Sequence, residues 1–117
     1  IVGPSVLGLR QIGITLVWTP LQLFFTMNSG YFPSSWSGIA TKVSAGGYRL
    51  AEIDGAPAAD VYNRWTGYAL GKEIDDATDV EAAATKYVLG KVPYYDEEGS
   101  PNFLLLQAKR IEGMGLV

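Results

Sequence analysis

The segment Tyr48–Gly67 constrains the fold of this 117-residue chain more than any other, because it predicts a strand, a tight turn and a helix in succession. Tyr48–Ile53 is rich in aromatic, β-branched and other apolar residues, as strands are. Asp54-Gly55 follows as a strong turn signal, since Gly accepts positive φ and Asp can bond the backbone just ahead. Pro57 suits the first turn of a helix, where its missing N–H costs nothing. The segment is therefore expected to form a strand, a tight turn and a helix in that order.

The helix that follows is predicted to be amphipathic. Four apolar residues recur at positions i, i+3, i+4 and i+7 and so share one helical face: Ala58, Val61, Tyr62 and Trp65. Gly67 is placed to end the helix, because the residue just past a helix often adopts a left-handed conformation.

Three further strands are predicted upstream of this unit. Two runs alternate between apolar and other residues, Gln11–Trp18 and Leu21–Met27, and Thr19-Pro20 separates them. Gly38–Val43 has the same alternation and is followed by Ser44–Gly47, which contains the Gly-Gly pair favoured in hairpin turns. The first two runs indicate a hairpin or successive strands around a bend, and Gly38–Val43 indicates a strand that pairs antiparallel with the strand after it.

A second helix is predicted downstream, starting near Thr78. Thr78 and Glu81 match the Ser/Thr-x-x-Glu capping box, and Gly90 stands where a helix-terminating glycine belongs. Pro93 then stops the helix from continuing. The apolar face of this helix would comprise Val80, Ala83, Ala84, Tyr87 and Val88.

The last part of the chain is predicted to be an exposed loop and one strand. Tyr94–Pro101 is polar and acidic, and three adjacent acidic side chains offer too few convergent ligands for a metal site. Asn102–Ile111 contains the uninterrupted apolar run Phe103–Leu106, which predicts a strand covered on both faces. The expected order is β-β-β-β-α-α-β, an α+β fold with a mostly antiparallel sheet and two helices. Residues 1–117 would form a single domain or a fragment of a larger one.

Composition excludes several classes of chemistry. The chain has neither cysteine nor histidine, so disulfides, thiol catalysis, serine–histidine triads and haem ligation through imidazole cannot be built from it. We therefore expect no catalytic residue, no metal site and no cofactor, and hence not an enzyme. The absence of cysteine is also typical of a reducing cytoplasm.

The charge and hydropathy of the chain indicate which classes of partner to expect. The net charge is −3 and the nine basic residues are scattered, so no nucleic-acid surface is expected. No apolar run approaches the roughly 18 residues that span a bilayer, so no membrane association is expected either.

The loop Asn28–Ser37 is unusual because it carries three aromatic residues, Tyr31, Phe32 and Trp36. These rings could cap one end of the hydrophobic core. Alternatively, they could form the mouth of a ligand site, with neighbouring serine hydroxyls to hold a small molecule. The sequence leaves both interpretations open.

Two runs, Ser37–Lys42 and Glu52–Trp65, resemble the FIST family, the F-box and intracellular signal transduction sensory domains. In that family an extended vT-x-a segment precedes ElDG-x-PA-x-x-vY, and Ile53–Tyr62 is the most specific part of the match. Asn102–Leu105 resembles a strand of the C-terminal part of the family. The resemblance covers about residues 10–112 and implies a fragment spanning the junction of the two FIST parts.

The resemblance implies a non-catalytic, cytoplasmic sensory domain that binds a small ligand, with amino acids proposed for the family. Some members are associated with haem and nitric-oxide sensing, but Gln107-Ala108 stands where members often carry His-Pro. The partners implied are the ligand and the remainder of a parent signalling protein. The candidate ligand-binding residues are Ser29, Tyr31, Trp36, Tyr62 and Trp65, of which Tyr62 and Trp65 also fit the helix core.

A different function is also open. The chain could be a structural or interaction module that docks on the rest of its parent or forms a homo-oligomer, since free sheet edges can pair with other chains.

Overall fold

The computed structural model describes residues 12, 14–24 and 29–117. Within them lie seven strands and two helices: β1 (Ala40–Val43), β2 (Leu50–Ile53), β3 (Ala56–Pro57), α1 (Ala58–Trp65), α2 (Glu81–Lys86), β4 (Leu89–Tyr95), β5 (Pro101–Leu106), β6 (Ile111–Glu112) and β7 (Gly115–Leu116). All strand pairings in these residues are antiparallel. The predicted α+β class with two helices is confirmed, although more of the strands follow the helices than the sequence indicates.

The larger sheet has the order β1-β2-β7-β6, with β3 also paired to β2. Asp54 and Gly55 join β2 to β3 with φ values of 52° and 77°. Positive φ at both central residues of a two-residue hairpin is the type I′ turn, which Asp-Gly favours. Gly113 and Met114 make the same kind of turn between β6 and β7, with φ values of 51° and 59°.

The helix α1 packs on this sheet, and its predicted apolar face is turned to the core. Ala58, Val61 and Tyr62 are buried and Trp65 is partly buried. Pro57 ends β3 and directly precedes the helix instead of lying in its first turn. The core around α1 is small and consists of Ile53, Ala58, Ala59, Val61, Tyr62, Val80, Ala84, Ala108, Ile111 and Leu116.

The end of α1 is a Schellman motif. The N–H of Tyr68 donates to the carbonyl of Asn63 and the N–H of Gly67 donates to that of Arg64, at 2.7 and 3.1 Å. Gly67 has φ 70°, which confirms it as the residue that ends the helix.

The second helix differs from its prediction. It spans only Glu81–Lys86, and the Thr78 hydroxyl hydrogen-bonds Asp75 instead of capping the helix. The Asp79 carboxylate accepts the N–H of Glu81 at 3.0 Å in its place. The capping-box prediction is therefore wrong, because the nearer Asp79, and not Thr78, accepts an N–H at this helix start.

Gly90 and Pro93 lie in β4 and do not end a helix. A Cβ on Gly90 would lie 2.8 Å from Cδ1 of Phe103 in the neighbouring strand, so glycine makes room for that ring. The pairing of β4 with β5 shifts register between Lys91 and Tyr94, and an irregularity of this kind accommodates Pro93 in a strand. Because both residues are typical of helix ends, the sequence did not predict the strand that contains them.

The hairpin β4–β5 forms a separate two-stranded sheet. The predicted loop Tyr94–Pro101 is shorter than expected, since Asp96 closes it by accepting the N–H groups of Glu98 and Ser100 at 3.0 and 2.7 Å. The expected strand Asn102–Ile111 ends at Leu106. Its residues Phe103–Leu106 are exposed at 38–52%, so the expectation that both faces are covered is wrong for the described residues.

The predicted strands Gln11–Trp18 and Leu21–Met27 are not present in residues 14–24, which have no regular secondary structure. The other residues of these two runs, apart from Ile12, lie outside the described part. The loop prediction for residues 29–37 is confirmed. Within the described residues, no helix has the length and apolar character required to cross a bilayer.

Candidate ligand-binding groove

A groove of about 810 Å³ lies where three segments of the described chain meet. These segments are the loop 29–38, the hairpin β1–β2 and the hairpin β4–β5, and Trp65 of α1 joins them. The volume lies within the range of small-molecule sites. Six of the residues that line the groove are aromatic: Tyr31, Phe32, Trp36, Trp65, Tyr95 and Phe103.

The structure brings four of the five candidate residues to this groove. Ser29, Tyr31, Trp36 and Trp65 line it. Tyr62 does not, because its side chain is only 2% exposed and lies in the core. The aromatic residues of the loop are open to solvent, with Trp36 60% exposed, so they do not close the end of the core.

The loop 29–38 is held at both ends. The Tyr31 hydroxyl donates to the Thr85 carbonyl in α2 at 2.7 Å. At the other end, Ile39 N–H donates to Oδ1 of Asp54, and Asp54 N–H donates to the Ile39 carbonyl, both at 2.8 Å. The Asp54 turn therefore does more than reverse the chain, since it also anchors the loop beside α1.

Gly38 lets the loop approach the sheet closely. A Cβ at this position would lie 2.6 Å from Oδ2 of Asp54 and from Cγ2 of Ile53, and 3.2 Å from Cζ2 of Trp65. Any larger residue would push the loop off these three side chains. This role of Gly38 was not identified from the sequence.

Two serines shape the loop locally. The hydroxyl oxygens of Ser29 and Ser34 accept the N–H groups of Tyr31 and Trp36, two residues ahead, at 3.4 and 3.2 Å. Ser/Thr turns of this kind fix short stretches of loop backbone. They fix the backbone that carries the two aromatic rings.

A smaller cleft of about 280 Å³ adjoins the groove and shares Trp36, Ile53 and Trp65 with it. Asp54 and Arg64 also line this cleft and give it one acidic and one basic side chain. Oδ1 of Asp54 is already an acceptor for the Ile39 N–H. Asp54 therefore has a clear structural role beside any contact with a ligand.

Tyr62 lies in the core and connects α1 to the segment after α2. Its hydroxyl donates to the Tyr87 carbonyl at 2.8 Å and so ties α1 to the segment after α2. Burial, with a smaller contribution from the nearby Tyr87 phenol, raises the pKa of Tyr62 to about 12. The phenol is therefore held neutral in the folded protein.

Sequence reasoning missed the β4–β5 side of the groove, which contributes Lys91, Tyr95, Phe103 and Leu105. Tyr94-Tyr95 and Phe103–Leu106 are β-prone runs separated by a Gly-containing acidic turn, a pattern that indicates a hairpin. The first of the two strands was not predicted, because Gly90 and Pro93 were assigned to the end of a helix.

Side chains suited to apolar contact and hydrogen bonding dominate the lining of the groove. Among the described residues, no group of three or more acidic side chains is arranged to hold a metal ion.

Comparison of the chain with protein-family models, with curated proteins and with solved structures gives no match.

Proposed function

We propose that this chain is a non-catalytic sensory domain, or part of one, that binds a small ligand in the groove and belongs to a cytoplasmic signalling protein. The observation that carries the proposal is the convergence of Ser29, Tyr31, Trp36 and Trp65 on one groove of about 810 Å³. These residues come from a loop and a helix far apart in sequence. The resemblance to FIST domains supports the sensory role and suggests amino acids as the ligand class.

The groove has the composition of a recognition site. Its aromatic and aliphatic walls would bury the apolar part of a ligand, and a few hydroxyls would orient it. The loop that contributes Tyr31 and Trp36 is anchored at Thr85 and Asp54. A ligand that bridges the loop and β4–β5 would couple two parts of the chain, as a sensor requires.

The non-catalytic part of the proposal rests on chemistry. Without histidine or cysteine, the chain lacks the commonest general base and the thiol nucleophile. The buried Tyr62 phenol has its pKa raised to about 12, which makes it a poor base or nucleophile near neutral pH.

Isothermal titration calorimetry against the twenty standard amino acids tests the proposed function. We expect at least one aromatic or large aliphatic member to bind, and Trp36→Ala to weaken that binding at least about fivefold. Trp18→Ala is the matched control, because Trp18 is 84% exposed and lies outside the groove lining. The absence of heat for every amino acid would count against this ligand class, and equal effects of the two variants would place binding elsewhere.

A second candidate function is an interaction module, favoured by the exposed apolar face of the hairpin β4–β5. Leu104 is 52% exposed and lies outside the groove lining. Such a surface would dock on a second copy of the chain or on the rest of a longer protein.

Light scattering over a concentration series tests this second function. We expect a mass that rises with concentration for the wild type and stays monomeric for Leu104→Lys. A monomer at every concentration would rule out self-association and leave only docking within a longer chain.

A further inference from the structure

We propose that the groove takes an aromatic or apolar monocarboxylate, with the Lys91 ammonium as its anchoring charge. This inference rests on the proposed function, since it names the class of ligand for the same groove. It narrows the ligand class from small molecules in general to one chemical type.

The first argument is the charge of the lining. Among the described residues that line the groove, Lys91 is the only one with a charged side chain, and none is a carboxylate. The protein as a whole is acidic, with a net charge of −3, so this local excess of positive charge is not a property of the entire surface. A ligand with one negative group would find a complementary partner, and a cation would find none.

The second argument is that Lys91 has no competing ion pair in the described part of the chain. The salt bridges there use Lys42, Lys109 and Arg110 as their cations. Lys91 lies in β4 between Gly90 and Val92, which also line the groove. No salt bridge among the described residues uses its ammonium, which is therefore available to a carboxylate.

The third argument concerns the serine hydroxyls. The oxygens of Ser29 and Ser34 accept backbone N–H groups, which leaves the hydroxyl protons to be donated. A carboxylate accepts hydrogen bonds only, so it suits the Lys91 ammonium and the hydroxyls of Ser29 and Ser34, which can both donate. Charge-assisted hydrogen bonds to a carboxylate are also stronger than neutral ones.

Two features favour a cationic ligand instead, but both are weaker than the three arguments for a carboxylate. Aromatic rings attract cations, but that attraction is small at solvent-exposed sites, and Trp36 is 60% exposed. The adjoining cleft holds Asp54, which could receive the ammonium of an amino acid. That carboxylate already binds the Ile39 N–H, so part of its acceptor capacity is taken.

Calorimetric titration at low salt with three ligands of one skeleton tests the inference: phenylacetate, phenylalanine and 2-phenylethylamine. We expect phenylacetate to bind at least about tenfold more tightly than 2-phenylethylamine, with phenylalanine between them. Lys91→Met should weaken phenylacetate binding about tenfold and leave the amine unaffected or slightly tighter. Lys72→Met is the matched control, because Lys72 is exposed and outside the groove lining, and it should change neither ligand.

The failure of this inference and the failure of the proposed function give different results. If the amine or phenylalanine binds as tightly as phenylacetate, or if Lys91→Met and Lys72→Met behave alike, the anion preference is overturned while ligand binding stands. If none of the three binds but a standard amino acid does, the inference is overturned alone. If nothing binds, both are overturned.

Discussion

At the scale of single residues, two buried polar side chains hold the unit around α1 together. Asn63 is 4% exposed, and its amide donates to the Gly71 carbonyl at 2.7 Å and accepts the Leu70 N–H at 3.0 Å. The Tyr62 hydroxyl is buried and bonds the Tyr87 carbonyl. Both side chains connect α1 to segments that follow it, and neither interaction could be predicted from sequence spacing.

Asn63→Ala should destabilise the protein by about 1–3 kcal/mol, because it leaves two backbone groups of the 70–71 segment without their partner. Chemical denaturation followed by circular dichroism measures this change. The control is Asn102→Ala, whose amide makes no hydrogen bond to the described residues, and we expect it to stay within about 0.5 kcal/mol of wild type. Equal effects of the two substitutions would contradict the structural role of Asn63.

Tyr62 should make stability depend on pH in the alkaline range. Its pKa is raised from 10.0 to about 12 in the folded protein, so the neutral phenol is favoured there. This preference contributes up to about 3 kcal/mol to the free energy of unfolding. The contribution is fully present below about pH 10 and is lost as pH rises through about 12.

Comparison with Tyr62→Phe tests this directly. The variant should be about 1 kcal/mol less stable than wild type at pH 7, because it loses one hydrogen bond, and more stable near pH 12. Urea denaturation at several pH values measures the crossing. Tyr48→Phe, at an exposed ring, should run parallel to wild type, and parallel curves for Tyr62→Phe would contradict the assignment.

At the scale of elements, the unit from β2 to α1 follows local rules, which is why the sequence predicts it well. The Asp54-Gly55 turn, the apolar face of α1 and the stop at Gly67 are all set by residues within a few positions of one another. The β4–β5 hairpin could not be predicted in the same way. Gly90 leaves room in the hairpin for the ring of Phe103, which is thirteen positions away in the sequence. Local sequence rules do not include that contact and assign Gly90 to a helix end.

Gly67→Ala should destabilise the protein by about 1 kcal/mol or more, because Gly67 has φ 70° in the Schellman motif and alanine is strained there. Thermal unfolding measures the loss. Gly46→Ala is the control: Gly46 is not among the positive-φ residues, and an added Cβ would meet only the side chain of the exposed Tyr48. A smaller loss for Gly67→Ala than for Gly46→Ala would contradict the motif.

At the scale of the whole molecule, the groove joins parts of the chain that sequence patterns treat separately. The sequence of the aromatic loop left two interpretations open, a cap on the core or a ligand mouth, and in the structure Tyr31 and Trp36 line one groove with Trp65. Tyr62 shares the helical stripe with Trp65, yet only Trp65, at the end of that stripe, reaches the groove. Helical periodicity indicates a shared face but not where along the face the core ends.

The opposite side of the groove depends on the folding of β4–β5 next to the loop. Lys91 and Phe103 carry no local signal for a site, since each is ordinary in a strand. Their importance comes from long-range packing, and so the charge of the groove became visible only in the folded chain.

The three tryptophans provide the most direct test of the central claim, that the groove binds a small ligand. Trp36 and Trp65 line the groove and Trp18 does not, so their indole N–H signals in a two-dimensional NMR spectrum report on the site with an internal control. Phenylacetate, phenylalanine and 2-phenylethylamine are titrated separately to millimolar concentration. We expect at least one of them to shift the Trp36 and Trp65 signals in a saturable way while Trp18 stays in place. Unchanged signals with all three compounds, or equal shifts of all three tryptophans, would contradict the claim.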